Sequence, residues 1–227
     1  MFLVMLAIAP VIFWLWYFVA KDRFRPEPRH LVIRVFMLGI VAAVVASVVE
    51  WAAFRTIGIR PGGPGPANVL ATAAVIGLIE EGTKFLAVYG GVYRHAAFDE
   101  VIDGIVYAVA AALGFATMEN VQYVLQGGAE VGVIRAVLAV PGHAFCGALM
   151  GFNMGMAKFA GPREKAWLLS GFGLAALAHT AYDALLLSRT VLALAVIPLI
   201  VILWRRAIGL TRRAQAEDGR RRGSGTA

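Results

Sequence analysis

Seven stretches of this chain are apolar enough to sit in the hydrocarbon of a bilayer: 2–20, 31–54, 67–93, 101–125, 131–157, 165–187 and 190–204. A helix needs about 20 mostly apolar residues to cross. All but the last meet that length, and Pro198 is expected to kink the short one. The pattern leaves one fold class: all-α, a polytopic membrane helix bundle of about seven transmembrane helices. With 60% hydrophobic and 15% charged residues and a mean hydropathy of +0.75, no water-soluble domain is visible. The first stretch has no basic residues before it and ends at Lys21, so it reads as a retained span rather than a cleaved signal. Residues 1–211 form a single transmembrane domain on this reading. Residues 212–227 are polar and Arg-rich, and are expected to be a disordered basic cytoplasmic tail that touches anionic lipid.

The net charge of +7 lies in short loops and the tail, which points to topology and not to nucleic acid. The loops after spans 1, 3 and 5, together with the tail, hold 15 Lys and Arg, against 4 on the other side (Arg55, Arg60, Arg135, Arg189). That imbalance predicts the N-terminus outside and the C-terminus in the cytoplasm. The single cysteine, Cys146, excludes an internal disulfide and a cysteine-rich metal site. Arg60 to Pro66 (RPGGPGP) is read as an outer loop.

The polar residues inside these spans are what the fold alone does not explain. Glu80 and Glu81 stand side by side in span 3, with Lys84 after them. A charge at mid-membrane costs roughly 2.5–3.5 kcal/mol on insertion scales, and such residues usually mark function. Span 4 adds Asp103, Glu119 and Asn120, span 5 adds His143 and Asn153, and span 6 adds His179 and Asp183. Glu80 and Lys84 are four apart and share a face, so an ion pair is expected there. That leaves Glu81 on another face, freer to reach His143 and His179. Asp183, one turn from His179, is placed to hold the imidazole tautomer. Asp103 near the helix end reads as solvated or as a cap, and Asn153 as a packing residue. Gly147, Gly151 and Gly155 form a small-residue face for close helix approach.

Glu80, Glu81, His143 and His179 fall at similar depths, with Glu119 nearer the outer end of its span. A pocket of two histidines and up to three carboxylates, open towards the outer half, follows. Pro141-Gly142 loosens the helix next to His143 and gives water a way in. Carboxylate plus imidazole is the combination that hydrolyses an amide: the carboxylate moves the proton, and the histidines bind a metal or the developing oxyanion.

At these residues the chain resembles the PrsW family of intramembrane proteases, related to the type II CAAX-protease and bacteriocin-processing proteins. Four blocks carry the resemblance: Glu80-Glu81-Gly-Thr-Lys84, Phe115-Ala-Thr-Met-Glu119-Asn120, Gly142-His143-Ala-Phe, and His179-Thr-Ala-Tyr-Asp183. They delimit a core of about 67–187. The resemblance implies that Glu80 and Glu81 are essential and that Glu119, His143 and His179 complete the site, with Lys84, Asn120 and Asp183 in support. It implies a bacterial plasma membrane location and proteolysis of a membrane protein, with the first cut of an anti-sigma factor as the best-known role.

Two mechanisms fit the residues. In one, His143, His179 and Glu81 hold Zn2+, although the helical His-Glu-x-x-His signature is absent. In the other, which the adjacent glutamates and lysine favour, no metal is bound and Glu81 or Glu80 activates water, with Glu81 the first candidate. A proton-coupled transporter or channel, or a non-catalytic membrane scaffold, are the readings from other classes.

Overall fold

The computed structural model describes residues 2–224, with side chains from Met5 to Gly223. Seven α-helices follow one another: α1 (Phe2–Val19), α2 (Arg29–Ile57), α3 (Pro66–Gly91), α4 (Val101–Val137), α5 (Ala139–Lys158), α6 (Glu164–Leu187) and α7 (Val196–Ser224). Short 3₁₀ turns at Gly161–Arg163 and Val191–Ala195 lead into α6 and α7. Among the described residues there is no strand.

The bundle is built around α4. Every residue from Val101 to Ala116 is buried, and α5, α2 and α1 pack on different sides of it. Its sequence explains this: Gly104 and the alanines at 108, 110, 111 and 112 let neighbouring backbones come close on all sides. The glycine face of α5 meets it directly. A Cβ at Gly151 would strike the Gly104 carbonyl, one at Gly155 the Val101 carbonyl, and one at Gly147 would lie 2.9 Å from the Ala108 carbonyl. Val101 facing Gly155 while Ala108 faces Gly147 makes the two helices antiparallel.

The outer face of α2 exposes Ile33, Met37, Val44, Val48 and Trp51, an apolar surface suited to lipid. Among the described residues, three stretches of helix are long and apolar enough to cross a membrane: Arg29–Ile57, Val101–Lys158 and Val191–Gly223. The molecule is a membrane helix bundle.

Three boundaries differ from the sequence reading. Spans 4 and 5 are not divided by a loop between 125 and 131. The chain reverses at Gly128, whose φ of 72° suits glycine, and helix continues as a returning arm over 129–137. The break comes later, at Leu138 (φ −112°, ψ −54°). Pro141 accounts for it, because it offers no N–H to the Val137 carbonyl and its ring crowds that oxygen. Pro198 does not kink the last helix; it sits in the first turn of α7, where a missing N–H costs nothing. The tail expected to be disordered is helical through Ser224. Ala207, Thr211, Ala214 and Asp218 are all at most 4% exposed and lie on one stripe. Asp218 accepts from the Val101 and Ile102 amides, at 2.7 and 3.0 Å, and so finishes the start of α4.

Candidate active site

Four helices bring the intramembrane polar residues together. Helix α3 carries Glu80, Glu81 and Lys84, α4 carries Glu119 and Asn120, α5 carries His143, and α6 carries His179 and Asp183. All five principal residues predicted from sequence converge, with Lys84 at their centre.

Lys84 is fully buried. Its Nζ donates to Glu81 Oε1 at 2.8 Å and to Glu80 Oε2 at 3.1 Å, and lies 3.0 Å from His143 Nδ1. The Phe115 ring centroid is 4.0 Å away, a cation–π contact. Lys84 therefore holds both glutamates, and the expected split between a paired Glu80 and a free Glu81 does not occur. A lysine stem is flexible enough to serve positions three and four residues back at once.

The orientation of the two glutamates is also the reverse of the expectation. Glu81 is completely buried. It reaches one histidine, accepting from His179 Nδ1 at 2.8 Å. Glu80 instead faces a cavity of about 370 Å³, whose walls also include Glu50, Glu119, His143, His179 and Asp183. The tautomer-holding partner of His179 is Glu81, since Asp183 lies 3.6 Å from the other ring nitrogen, Nε2. Glu80 Oε2 is likewise 3.6 Å from that Nε2.

His143 sits between a cation and an anion. Its Nδ1 faces Lys84, and its Nε2 is 2.8 Å from Glu119 Oε2. With Lys84 donating, Nδ1 is the acceptor and the ring hydrogen on Nε2 goes to Glu119. The two imidazoles meet edge to face, with centroids 5.1 Å apart.

Two residues of this neighbourhood were not singled out from sequence. Arg135, counted among the outer-side charges, folds back on the returning arm; its Nε donates to Asn120 Oδ1 at 2.7 Å and it pairs with Glu119 at 3.4 Å. Asn120 in turn donates to the Ala7 carbonyl at 3.3 Å, tying α1 to the same corner. Glu50, near the end of α2, lines the cavity with one carboxylate oxygen unpartnered. A carboxylate between apolar valines and Trp51 was the available signal for Glu50. Nothing local signals Arg135, because its position depends on the reversal at Gly128.

A family model for the PrsW family intramembrane metalloprotease matches residues 27–205. The chain belongs to the PrsW family. It is 34% identical to Protease PrsW of Bacillus subtilis (strain 168) over 210 residues, covering 92% of this chain and 94% of that one. It is 38% identical to Protease PrsW of Geobacillus kaustophilus (strain HTA426) over 188 residues, covering 82% and 80%. No solved structure matches the chain. PrsW membership makes this an intramembrane protease, as the four sequence blocks implied.

The metal implied by the family's description can be tested against the residues present. Glu80, His143 and His179 each offer a ligand atom, all within 4.8 Å of one another and all buried. One carboxylate and two imidazoles make a three-ligand set for a catalytic zinc, with Glu80 in the place expected for Glu81. His179 is presented as such a ligand is, one ring nitrogen fixed by a carboxylate and the other turned inward. Glu80 and His179 fit a metal as they stand, and His143 joins them when its ring hydrogen moves to Nδ1, which gives up both its Glu119 and its Lys84 hydrogen bonds.

Proposed function

We propose that this protein is an endopeptidase that cuts a peptide bond of a membrane protein at the cavity bounded by Glu80, Glu119, His143 and His179. The observation that carries this reading is the convergence of one carboxylate and two imidazoles on a cavity whose wall holds a further carboxylate, Glu119. Glu80, His143 and His179 would hold Zn2+, and the metal would supply Lewis acidity towards the scissile carbonyl.

The chain's own residues do the rest. Glu119 takes the proton of the attacking water and passes it to the departing amine nitrogen. Arg135, 3.4 Å from Glu119, keeps that carboxylate aimed at the cavity. Glu81 holds His179 by Nδ1, and Lys84 offsets the charge of the two glutamates. Glu80→Gln should abolish both cleavage and stoichiometric metal. Glu119→Gln should abolish cleavage while metal stays bound. Full cleavage by Glu80→Gln would sink the proposal.

One observation favours a metal-free variant. The chain Lys84–His143–Glu119 leaves His143 without a free ring nitrogen. Glu80 would then activate water directly, with His179 as an imidazolium, held by Glu81 at Nδ1, donating its Nε2–H to the oxyanion. Cleavage that survives a chelator in protein free of bound zinc decides for this variant.

The basic-residue imbalance supports seven crossings in the cell membrane, with the N-terminus outside and the cavity in the outer half. The resemblance supports an anti-sigma factor as the substrate class to try first, and co-expression with a tagged anti-sigma factor tests it.

A further inference from the structure

A second group of buried acids surrounds the other end of α4. Asp22 comes from the α1–α2 loop, Glu100 caps α4, and Asp103 stands in its first turn. Sixteen residues of helix separate Asp103 from Glu119, about 24 Å along the axis, so this group is remote from the hydrolytic cavity.

The three residues are 5%, 4% and 0% exposed. One ligand oxygen from each lies within 4.8 Å of the others. Each carboxylate is anchored through one oxygen. Asp22 Oδ2 accepts from the Glu27 amide at 3.0 Å, and Asp103 Oδ2 from the Asp99 and Glu100 amides at 2.8 and 2.6 Å. Glu100 Oε1 accepts from Arg222 Nε at 2.9 Å. The second oxygen of each, Asp22 Oδ1, Glu100 Oε2 and Asp103 Oδ1, is buried and lacks a well-formed hydrogen bond, although Asp103 has the Glu27 carboxyl beside it and Asp22 the Arg25 amide. Buried polar atoms are normally well partnered, and a poorly partnered oxygen on each of three acids in one cluster is a defect that a bound cation removes.

The charge balance runs the same way. Glu27, which accepts from Tyr107 Oη, and Asp218, on the α4 amides, add two further carboxylates. Arg222 pairs with Glu100, Arg221 acts on Asp218, Lys158 on Asp103, Arg25 pairs with Asp99, and the α4 N-terminus contributes about half a charge. The excess remains negative.

We propose that Asp22, Glu100 and Asp103 form a binding site for a hard divalent cation, Mg2+ or Ca2+, at the end of the bundle remote from the cavity. The donor set is all oxygen, without the imidazoles that select zinc. The bound cation ties the α1–α2 loop to the start of α4 and, through Glu100–Arg222, to the end of α7. Protons are the competing occupants: without a cation, burial and the neighbouring Glu100 raise Asp22 to about 6.

The test uses the full-length protein in detergent, stripped with EDTA and dialysed. MgCl2 and then CaCl2 are titrated while thermal unfolding is followed by tryptophan fluorescence and binding by calorimetry. One of the two should raise the melting temperature saturably at pH 7.5, with one site per chain. Asp22→Asn should weaken that binding at least tenfold, whereas His179→Ala, in the cavity, should leave it intact. The carboxamide oxygen that Asp22→Asn introduces can still accept from the Glu27 amide, so this variant is expected to fold; Glu100→Gln is the second. No saturable rise with either ion overturns the site. So does an equal response from Asp22→Asn, a response lost in His179→Ala, or stability that follows pH alone.

Discussion

The two ends of α4 hold two kinds of buried polar cluster, and they differ in access and in donors. Around Glu119 the cluster mixes carboxylates, imidazoles and one ammonium, and it opens to a cavity of about 370 Å³. Around Asp103 it is all carboxylate, and its acids are anchored to backbone amides or to Arg222. The first lies beside the chain's irregular points, the reversal at Gly128 and the break at Leu138. The second lies where helix ends are capped. Buried charge is thus placed in two ways in one bundle: beside a cavity at one end, and fastened to helix-end amides and an arginine at the other.

The largest expected difference comes from exchanging an acid for its amide at each end. Glu80→Gln should lower cleavage below detection with little change in melting temperature, whereas Asp22→Asn should leave the cleavage rate within about twofold and act on stability. A substrate-cleavage assay beside thermal unfolding reads both, and equal effects at the two ends would erase the contrast.

Removing the shared cation is next. Lys84→Met leaves Glu80 and Glu81 without their common partner, and breaking a buried pair this way costs about 3–5 kcal/mol. The readout is loss of folded protein by size-exclusion chromatography in mild detergent. Pairing the change with Glu81→Gln should recover part of that loss.

Glu81→Gln alone sharpens the distinction between cavity-facing and supporting groups. Loss of a carboxylate behind a histidine ligand typically costs about 10–100-fold in metal affinity or activity. Glu81→Gln should therefore retain measurable cleavage where Glu80→Gln retains none. The reverse order would return the water-facing role to Glu81.

The smallest effect belongs to the sealed end. Tyr107→Phe removes the hydroxyl that donates to Glu27, and should cost about 1 kcal/mol of stability without touching cleavage.

Much of this was legible in the sequence, for identifiable reasons. Apolar length marked the helices, and spacing marked the glycine face of α5, because both depend on local periodicity. The four blocks named the residues that converge. What escaped depended on reach and on reversal. The spacing from Glu80 to Lys84 implied one ion pair, but the lysine stem serves both glutamates, and nothing in the spacing tells which of them turns to the cavity. Arg135 reaches Glu119 only because Gly128 turns the chain back. The 207–211–214–218 stripe was present to be read, but seven arginines from 205 to 222 gave that segment the composition of a disordered tail.

The Asp218 contact has a consequence for how the molecule is made. The amides that it caps belong to the central helix, yet Asp218 lies 117 residues after Val101 in the chain. During synthesis α4 must enter the bundle with those two donors open, and they close only once residue 218 has been delivered. Helix α7 thus completes the first turn of the middle one, and the hub of the bundle stays unfinished until α7 has docked.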